Sequence, residues 1–247
     1  MIYDDDPELY DLQYESYRDD IPFYLRLAAE LGGPVLEIGA GTGRLTEALA
    51  AAGHEVVAID YSEAMLARSE PRLHAYTRSG QVTLLKRDMR ELELGREFAL
   101  VIAPFNTLMH AYTPADQDGT LAAARRHLAA GATFAFDVYQ PHLAQLGVLR
   151  REPEWSGLAG PGSELFLVQH HDPDAQTVES VYFLDEVRPD GSLRRRSTRL
   201  LQRYFTRFEL QRALVQAGFA NVRLFGGFEK QRLSAASLMI VGLAKSS

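Results

Sequence analysis

One short segment constrains the fold more than any other part of this chain. The apolar run Val35-Leu36-Glu37-Ile38 leads directly into Gly39, Gly41 and Gly43, and an alanine-rich stretch follows over residues 42–52. A strand, a glycine turn and a helix form the opening of a βαβ unit, in which residues without a Cβ let a ligand approach the backbone closely. A purely architectural turn is the alternative. The segment predicts a parallel sheet with a ligand site at the end of its first strand.

The turn matches neither of the two common phosphate-binding loops. A GxGxxG dinucleotide fingerprint requires glycine at position 44, where this chain has Arg44. A P-loop ends in Gly-Lys-Ser/Thr, which does not follow this turn. The turn is therefore Rossmann-like without being a standard phosphate site, and Arg44 disfavours an NAD-dependent dehydrogenase.

Two acidic residues accompany the glycine turn. Glu37 lies within a strand that should be buried, and a buried carboxylate is costly unless it is paired. Asp60 ends the second predicted strand, residues 55–60, where Rossmann-type sites place the acid that accepts hydrogen bonds from ribose hydroxyls. Asp60 therefore indicates a ligand that contains a ribose.

Strand and helix patterns alternate as far as Tyr139. Apolar, β-branched strands separated by helices predict a parallel sheet that is covered on both faces. Predicted strands are 35–38, 55–60, 82–85, 98–105, 133–139, 222–225 and 237–244, and predicted helices are 22–31, 42–52, 62–73, 115–130 and 206–217. The expected fold class is α/β: a Rossmann-like, doubly wound, seven-stranded, mostly parallel sheet with a small antiparallel β insertion after strand five.

The insertion is predicted from a change of pattern after Tyr139. Residues 165–169 form one strand, and residues 178–188 and 193–204 form a hairpin around Pro189-Asp190-Gly191. Residues 140–205 are therefore expected to form an inserted antiparallel β cap. Residues 1–33 are expected to form an N-terminal helical lid segment, and residues 34–139 and 206–247 the ligand-binding domain. The run Arg194-Arg195-Arg196 is expected to be a solvated strand end.

Composition excludes several other classes. The chain contains no cysteine, which excludes disulfides, thiolate metal sites and cysteine nucleophiles. Its formal net charge of −7 opposes approach to a nucleic-acid backbone. It shows no apolar run near the ~20 residues of a membrane span and no signal peptide at the acidic N-terminus. A cytoplasmic location with no nucleic-acid or membrane partner is the expectation.

The combined motifs resemble the class I S-adenosylmethionine-dependent methyltransferases, most closely the small-molecule N-methyltransferases of the amino-sugar and glycine type. The first family motif is an acid followed by GxGxG, matched by Glu37 and residues 39–43. The second is an acid that closes strand two, matched by Asp60. A helix that begins with Ser62 and carries Met65 follows, and Asp88-Met89 matches a third motif.

The resemblance implies a binding site for S-adenosylmethionine, whose product is S-adenosylhomocysteine. The residues that it implies as cofactor-binding are Tyr14, Glu37, Gly39, Ala40, Gly41, Gly43, Asp60, Tyr61, Met65, Asp88, Met89, Ala103 and Phe105. Asp60 would bind both ribose hydroxyls and Asp88 the adenine amine. Glu37 would orient the turn or reach the cofactor amino group through water. Ala103 and Phe105 would line the floor beside the methyl group.

His110 and the N-terminal tyrosines are further candidates. His110 follows strand four, at the edge of the sheet where ligands collect, and the resembling enzymes have a histidine at a similar place. It is the candidate general base or acceptor-binding group, with a structural loop histidine as the alternative. The other histidines show no metal-ligand spacing, so no metal is expected. Tyr14 or Tyr10 is the lid tyrosine that would cover the cofactor, as in the same enzymes, with ordinary helix packing as the alternative.

The expected function is transfer of a methyl group to nitrogen or oxygen of a small-molecule acceptor. The alternatives are a protein methyltransferase and a non-catalytic S-adenosylmethionine-binding regulatory protein. Strand four ends in Ala-Pro-Phe-Asn, which lacks the Asn-Pro-Pro-Tyr signature of exocyclic-amine methylation. The resemblance is also compatible with a homodimer.

Overall fold

A computed structural model describes residues 6–14, 16–140, 154–160 and 163–246, with only the backbone described for residues 154–160. Its helices are α1 Pro7–Tyr14, α2 Ile21–Leu31, α3 Arg44–Ala51, α4 Glu63–Arg78, α5 Pro114–Arg126 and α6 Arg207–Gln216. Its strands are β1 Val35–Ile38, β2 Val56–Asp60, β3 Val82–Lys86, β4 Phe98–Ala103, β5 Leu128–Tyr139, β6 Glu154–Gly160, β7 Ser163–Asp172, β8 Thr177–Val187, β9 Leu193–Arg203, β10 Phe219–Phe225 and β11 Met239–Ser246. A short 3-10 helix, Thr107–His110, follows β4.

Seven strands form the central sheet in the order β10-β11-β5-β4-β1-β2-β3. Neighbouring strands from β5 to β3 are parallel, whereas β11 is antiparallel to both β5 and β10. The carboxyl ends of β1, β2, β3, β4 and β5 therefore meet at one edge of the sheet. This topology confirms the predicted seven-stranded, mostly parallel α/β fold.

Alternate strand residues supply two hydrophobic layers, as expected of a doubly wound sheet. On one face, Val35 and Leu100 pack with side chains of α2 and α3 such as Leu27 and Leu45. On the other face, Leu36 joins the cluster that contains helices α5 and α6. Both faces are buried, so the functional surface of this sheet lies at its edges.

Strands β6 to β9 form a separate antiparallel sheet in the order β6-β7-β8-β9. This sheet confirms the predicted antiparallel insertion after strand five, and it includes β6, which the sequence pattern did not indicate. The domain boundaries at residues 140 and 205 stay predictions. Residues 1–5 of the predicted lid segment and 141–153 of the predicted cap lie outside the described residues.

The helix predicted over residues 115–130 is too long by four residues. The structure ends α5 at Arg126, and β5 begins at Leu128. His127 stops the helix because its ring bonds locally: Nδ1 lies 2.7 Å from the carbonyl oxygen of Ala123, and Nε2 accepts a hydrogen bond from the backbone of Leu94. Ala129 and Ala130 favour helix by propensity, but in the structure they belong to β5. None of the described helices has the length and apolar character needed to cross a bilayer.

Candidate active site

A cavity of about 710 Å3 lies where the carboxyl ends of β1 to β5 meet α1 and the inner face of the second sheet. Of the fourteen predicted site residues, those that line it are Tyr14, Gly39, Gly41, Asp60, Tyr61, Met65, Asp88, Met89, Phe105 and His110. Those that do not are Glu37, Ala40, Gly43 and Ala103. The fold therefore brings residues from four strand ends and the N-terminal helix to one cavity.

The glycine turn presents bare backbone to this cavity. Gly39 and Gly41 have positive φ angles of 78° and 57°. A Cβ at Gly41 would project to 3.7 Å from both the Tyr10 hydroxyl and the Met65 methyl group. The Asp60 carboxylate is fixed beside the turn because it accepts hydrogen bonds from the backbone of Gly41 and of Ser62, each at 2.8 Å. Turn and acid thus form one preorganised unit.

Glu37 is buried beneath the turn rather than in the cavity wall. Its side chain accepts a hydrogen bond of 2.6 Å from the Thr46 hydroxyl, and the residue is 1% exposed. Burial raises the pKa of the Glu37 carboxyl from 4.5 to about 8, against the lowering effect of Thr46. A protonated Glu37 at neutral pH supports the strand and the helix behind the turn. The predicted water-mediated contact with a cofactor stays a prediction.

Glu37→Gln is expected to flatten the pH dependence of stability. Between pH 4.5 and about 8 the folded wild type holds a proton on Glu37 that the unfolded chain releases. The free energy of unfolding therefore falls as pH rises, by ~1.4 kcal/mol per pH unit for one proton. Urea denaturation at pH 6 and pH 8 should show wild type losing ~2 kcal/mol more than the variant. Equal losses would mean that Glu37 is ionised in the fold.

Gly43 and Ala103 have packing roles in this structure. A Cβ at Gly43 would lie 2.8 Å from a Leu73 methyl group, so this glycine lets α3 and α4 approach each other. Ala103 is fully buried in the hydrophobic layer beneath β4. Ala40 is also buried, in the layer that contains α2 and α3. These three residues shape the floor of the site without forming its surface.

The side of the cavity next to β2 and β3 combines acids with sulfur and aromatic side chains. Met65 is buried there, and Tyr61 is half exposed. Asp88 accepts hydrogen bonds from the side chain and backbone of Arg90, which hold the pKa of its carboxyl below its usual value. A ring bound here would meet flat and polarisable surfaces on its faces and a carboxylate at its edge.

The turn after β4 is held in a strained conformation. Phe105 and Asn106 have φ angles of 52° and 65°, which are uncommon for residues with a Cβ. Asp137 on β5 restrains both: its Oδ1 accepts from the Phe105 backbone at 2.9 Å, and its carbonyl accepts from the Asn106 backbone at 3.1 Å. Tyr24 of α2 donates a hydrogen bond of 2.6 Å to the same Oδ1. These hydrogen bonds hold the backbone from which the Phe105 ring projects.

An aromatic cluster surrounds that ring. The centroids of Tyr14, Tyr17 and Tyr10 lie 4.9, 5.3 and 6.4 Å from the centroid of Phe105. The guanidinium carbon of Arg44 lies over the rings of Phe105 and Tyr17, 5.6 and 5.4 Å from their centroids. The cluster joins the N-terminal segment to the residue that follows β4, and its four rings line the cavity.

Helix α1 is fixed to its surroundings by several contacts. Leu9 is fully buried against the second sheet, and the Tyr14 hydroxyl lies 3.2 Å from the Tyr182 hydroxyl. Asp11 pairs with Arg68 of α4 at 2.8 Å. Arg196 pairs with Asp6 at 3.0 Å, so the prediction of a solvated strand end is wrong for this arginine. The N-terminal helix and the second sheet together cover the cavity.

His110 lies in the cavity wall with defined ring chemistry. The Tyr112 hydroxyl donates its single proton to the Leu201 carbonyl at 3.1 Å. His110 Nδ1 lies 3.3 Å from the same hydroxyl oxygen and must therefore donate the hydrogen bond between them. Nε2 is then the acceptor nitrogen of the imidazole. Burial lowers the pKa of His110 to about 4, so the ring is neutral at pH 7. A neutral ring can accept a hydrogen bond but holds a proton weakly.

Several lining residues were missed from the sequence. They include Tyr17, Asn106, Asp137, Gln169, Ser180, Tyr182 and Gln202. Asp137 had a readable signal, because it is a carboxylate in the apolar strand Phe134-Ala135-Phe136-Asp137-Val138, like Glu37 in β1. The lining residues of β7, β8 and β9 had no such sequence signal. Which of their side chains face the cavity depends only on the register of the strands.

Comparisons with known proteins agree with this geometry. A family model described as a methyltransferase domain matches residues 35–131. The dTDP-3-amino-3,4,6-trideoxy-alpha-D-glucopyranose N,N-dimethyltransferase of Streptomyces venezuelae is 27% identical over 134 residues, 51% of this chain and 54% of that protein. The matched segment thus spans about half the length of this curated relative.

Solved structures match over nearly the whole chain. The CcbJ methyltransferase of Streptomyces caelestis superposes with a TM-score of 0.82 and 27% identity, covering 98% of this chain and 99% of that one. The amino pentose methyltransferase CalS10 of Micromonospora echinaspora has a TM-score of 0.77 at 21% identity, covering 96% and 94%, which shows the shared fold. With its strand order, its glycine turn and its matched domain over residues 35–131, the chain is similar to the class I S-adenosylmethionine-dependent methyltransferases.

Proposed function

We propose that this protein methylates nitrogen or oxygen of a small-molecule acceptor, with S-adenosylmethionine bound across the carboxyl ends of β1 to β4. The observation that carries the proposal is the single cavity that joins the glycine turn and Asp60 to His110 and the covering second sheet. The names of the similar proteins, which act on amino sugars, favour nitrogen over oxygen. A protein acceptor and a purely regulatory role are the alternatives.

The residues present fit the cofactor. Gly39 and Gly41 present backbone without a Cβ to the cavity, and Asp60 is a fixed carboxylate suited to a pair of ribose hydroxyls. Met65 and Asp88 suit the faces and edge of an adenine ring. When bound, S-adenosylmethionine supplies a methyl group activated by a sulfonium. The protein's contribution is to position the acceptor and exclude water.

The other half of the cavity is proposed to hold the acceptor. Gln169, Ser180 and Gln202 project from the second sheet into the cavity, where amide and hydroxyl groups can bind polar groups of a small molecule. The lid segment, residues 1–33, is proposed to close over both ligands through Tyr14. His110 is proposed to accept a hydrogen bond from the acceptor through Nε2.

Asp60→Ala is expected to weaken S-adenosylmethionine binding by ~1–3 kcal/mol, because the ribose hydroxyls lose their acceptor. Isothermal titration of S-adenosylmethionine and S-adenosylhomocysteine into wild type and variant measures the effect. Asp174→Ala, in the exposed turn between β7 and β8, is the control and should bind like wild type. An unchanged dissociation constant in Asp60→Ala would remove Asp60 from the site.

His110→Ala is expected to lower turnover by about 100-fold with little change in cofactor affinity, the size of effect typical of one acid–base or positioning group. The acceptor is found first, by methyl-transfer assays on panels of amines, alcohols and carboxylic acids. Turnover and titration of S-adenosylhomocysteine are then compared in the same preparations. Full activity in His110→Ala would reject its role at the acceptor.

Two remaining proposals concern partners. The chain is proposed not to methylate nucleic acid. A panel of methyl acceptors that includes RNA tests this directly. A homodimer is proposed on the resemblance alone, and light scattering of the purified protein would give its mass against the 27.6 kDa of one chain.

A further inference from the structure

Asp137 is a buried carboxylate in the cavity wall to which the proposed reaction has so far given no role. It lies near the end of β5 and is 5% exposed. Its β5 neighbour Phe136 pairs with Ala103, the last residue of β4, so Asp137 stands at the carboxyl edge of the sheet. A carboxylate is seldom kept in such a place unless it is paired or functional.

The hydrogen bonds of Asp137 are one-sided. The Tyr24 hydroxyl and the Phe105 backbone both donate to Oδ1, at 2.6 and 2.9 Å. No hydrogen bond to Oδ2 is found from the residues that the structure describes. Oδ1 therefore fixes the side chain, and Oδ2 is the oxygen available to a molecule in the cavity.

The position of Asp137 separates it from the other acids of the cavity. Of the described lining residues, the carboxylates are Asp60, Asp88 and Asp137. Asp60 and Asp88 belong to the ends of β2 and β3, whereas β5 lies beyond β4 on the opposite side of β1. Because neighbouring strands lie ~4.8 Å apart, β5 is ~14 Å from β2. Asp137 thus belongs to the half of the cavity proposed for the acceptor.

The surroundings of Oδ2 suit a positively charged group. The charge of Asp137 raises the pKa of Tyr17, and the Phe105 backbone donates a hydrogen bond to Asp137, so both aromatic residues lie near the carboxylate. Aromatic rings next to a carboxylate attract ammonium groups through their electron-rich faces. Arg44 occupies one side of these rings but is itself neutralised by Asp20, at 2.6 Å.

We propose that Asp137 binds the ammonium group of the acceptor and takes its proton, so that the substrate is a small-molecule amine. The inference rests on the proposed function and names its substrate class. One proton moves from the ammonium nitrogen to Oδ2 of Asp137, which becomes a neutral carboxyl. The freed lone pair on nitrogen then forms the new N–C bond as the S–C bond breaks, and the bonding electrons stay on sulfur. No oxidant or metal is required.

The pH dependence of activity follows from the groups that face Asp137. Burial raises the pKa of this carboxyl from 3.8 to about 6. The charge of Asp20 also raises the pKa. The hydrogen bonds from Tyr24 and Phe105 and the charge of Arg44 lower it. The base is therefore ionised at pH 8 and becomes protonated below about pH 6. Activity should fall as pH drops through that value.

The kinetic test is a pH profile of kcat/KM for an amine that turns over, in three variants. Asp137→Asn keeps an oxygen for Tyr24 and Phe105 but cannot take a proton, so kcat/KM at pH 8 should fall about 100-fold and the acid limb should vanish. Tyr24→Phe removes a bond that lowers the pKa of Asp137, so its acid limb should move to higher pH. Asp118→Asn, on the exposed face of α5, should match wild type. An acid limb unchanged in Asp137→Asn would overturn the proposal.

A binding test needs no known acceptor. Protein saturated with S-adenosylhomocysteine is titrated at pH 8 with benzylamine and with benzyl alcohol, its neutral counterpart. Wild type should prefer the amine at least tenfold, and Asp137→Asn should not. The same preference in both proteins, or in neither, would contradict the proposal. A tenfold loss of S-adenosylhomocysteine affinity in Asp137→Asn would place the cofactor's own amino group at Asp137 and also overturn it. Failure of wild type to bind S-adenosylhomocysteine would instead reject the proposed function.

Discussion

Arg44→Met is expected to destabilise the protein by ~3–5 kcal/mol, because it leaves a buried carboxylate without its counter-ion. Arg44 forms a bidentate salt bridge with Asp20, with N–O distances of 2.7 and 2.6 Å, and the Asp20 side chain has no exposed surface. The same guanidinium also donates to the Tyr17 carbonyl at 3.1 Å and covers the aromatic cluster. Methionine replaces the volume of the arginine stem but none of these interactions. Urea denaturation with two-state analysis measures the loss.

A matched control separates this effect from arginine removal in general. Arg26 forms a pair with Glu229 at a similar distance of 2.9 Å, but the two side chains are 50% and 70% exposed. Arg26→Met should therefore cost no more than ~1 kcal/mol. The double variant Arg44→Met/Asp20→Asn should recover part of the lost stability, because it no longer contains the buried, unpaired carboxylate of Asp20. Equal effects of Arg44→Met and Arg26→Met would contradict a buried ion pair.

Gly39→Ala is expected to cost ~2–4 kcal/mol and to weaken S-adenosylhomocysteine binding at least tenfold, because it combines backbone strain with a clash. The φ angle at Gly39 is 78°, and an added Cβ would overlap the side chain of Thr107. Thr107 cannot turn away freely, since its hydroxyl bonds the Pro104 carbonyl at 2.7 Å. The clash would move the glycine turn or the segment after β4, and both line the cavity.

Gly53→Ala is the control for the backbone part of this cost. Gly53 also has a positive φ angle, 91°, but a Cβ there would meet nothing within 4 Å. Its replacement should cost ~1–2 kcal/mol from backbone strain alone and leave cofactor binding unchanged. Denaturation and calorimetry on both variants give the two differences. If Gly39→Ala behaved like Gly53→Ala in both measurements, the turn would have no role in binding.

The central sheet could be predicted from sequence because its signals are local. Buried parallel strands are short apolar runs, and most helices between them end near glycines, so all seven strands were identified; the largest error is at β5, which begins at Leu128 and not at residue 133. Asp60 was found in the same way, since a strand ending in an acid is visible in the sequence. These features depend on neighbours along the chain and not on the final packing.

The remaining features depend on contacts between distant parts of the chain. Arg44 was interpreted only as a departure from a glycine motif, whereas the structure pairs it with Asp20, which precedes α2. Asp137 is bonded by Tyr24 from a helix more than one hundred residues away. Neither pairing has a sequence pattern, because each joins residues that meet only when α2 packs against the rest of the fold.

The most direct test of the account is a crystal structure of the protein with S-adenosylhomocysteine. We expect the adenosine to lie at the ends of β2 and β3, with Asp60 bonded to both ribose hydroxyls and the sulfur directed towards Phe105 and His110. A ligand bound elsewhere, or a cavity filled by the chain's own side chains in crystals soaked at saturating concentration, would contradict it.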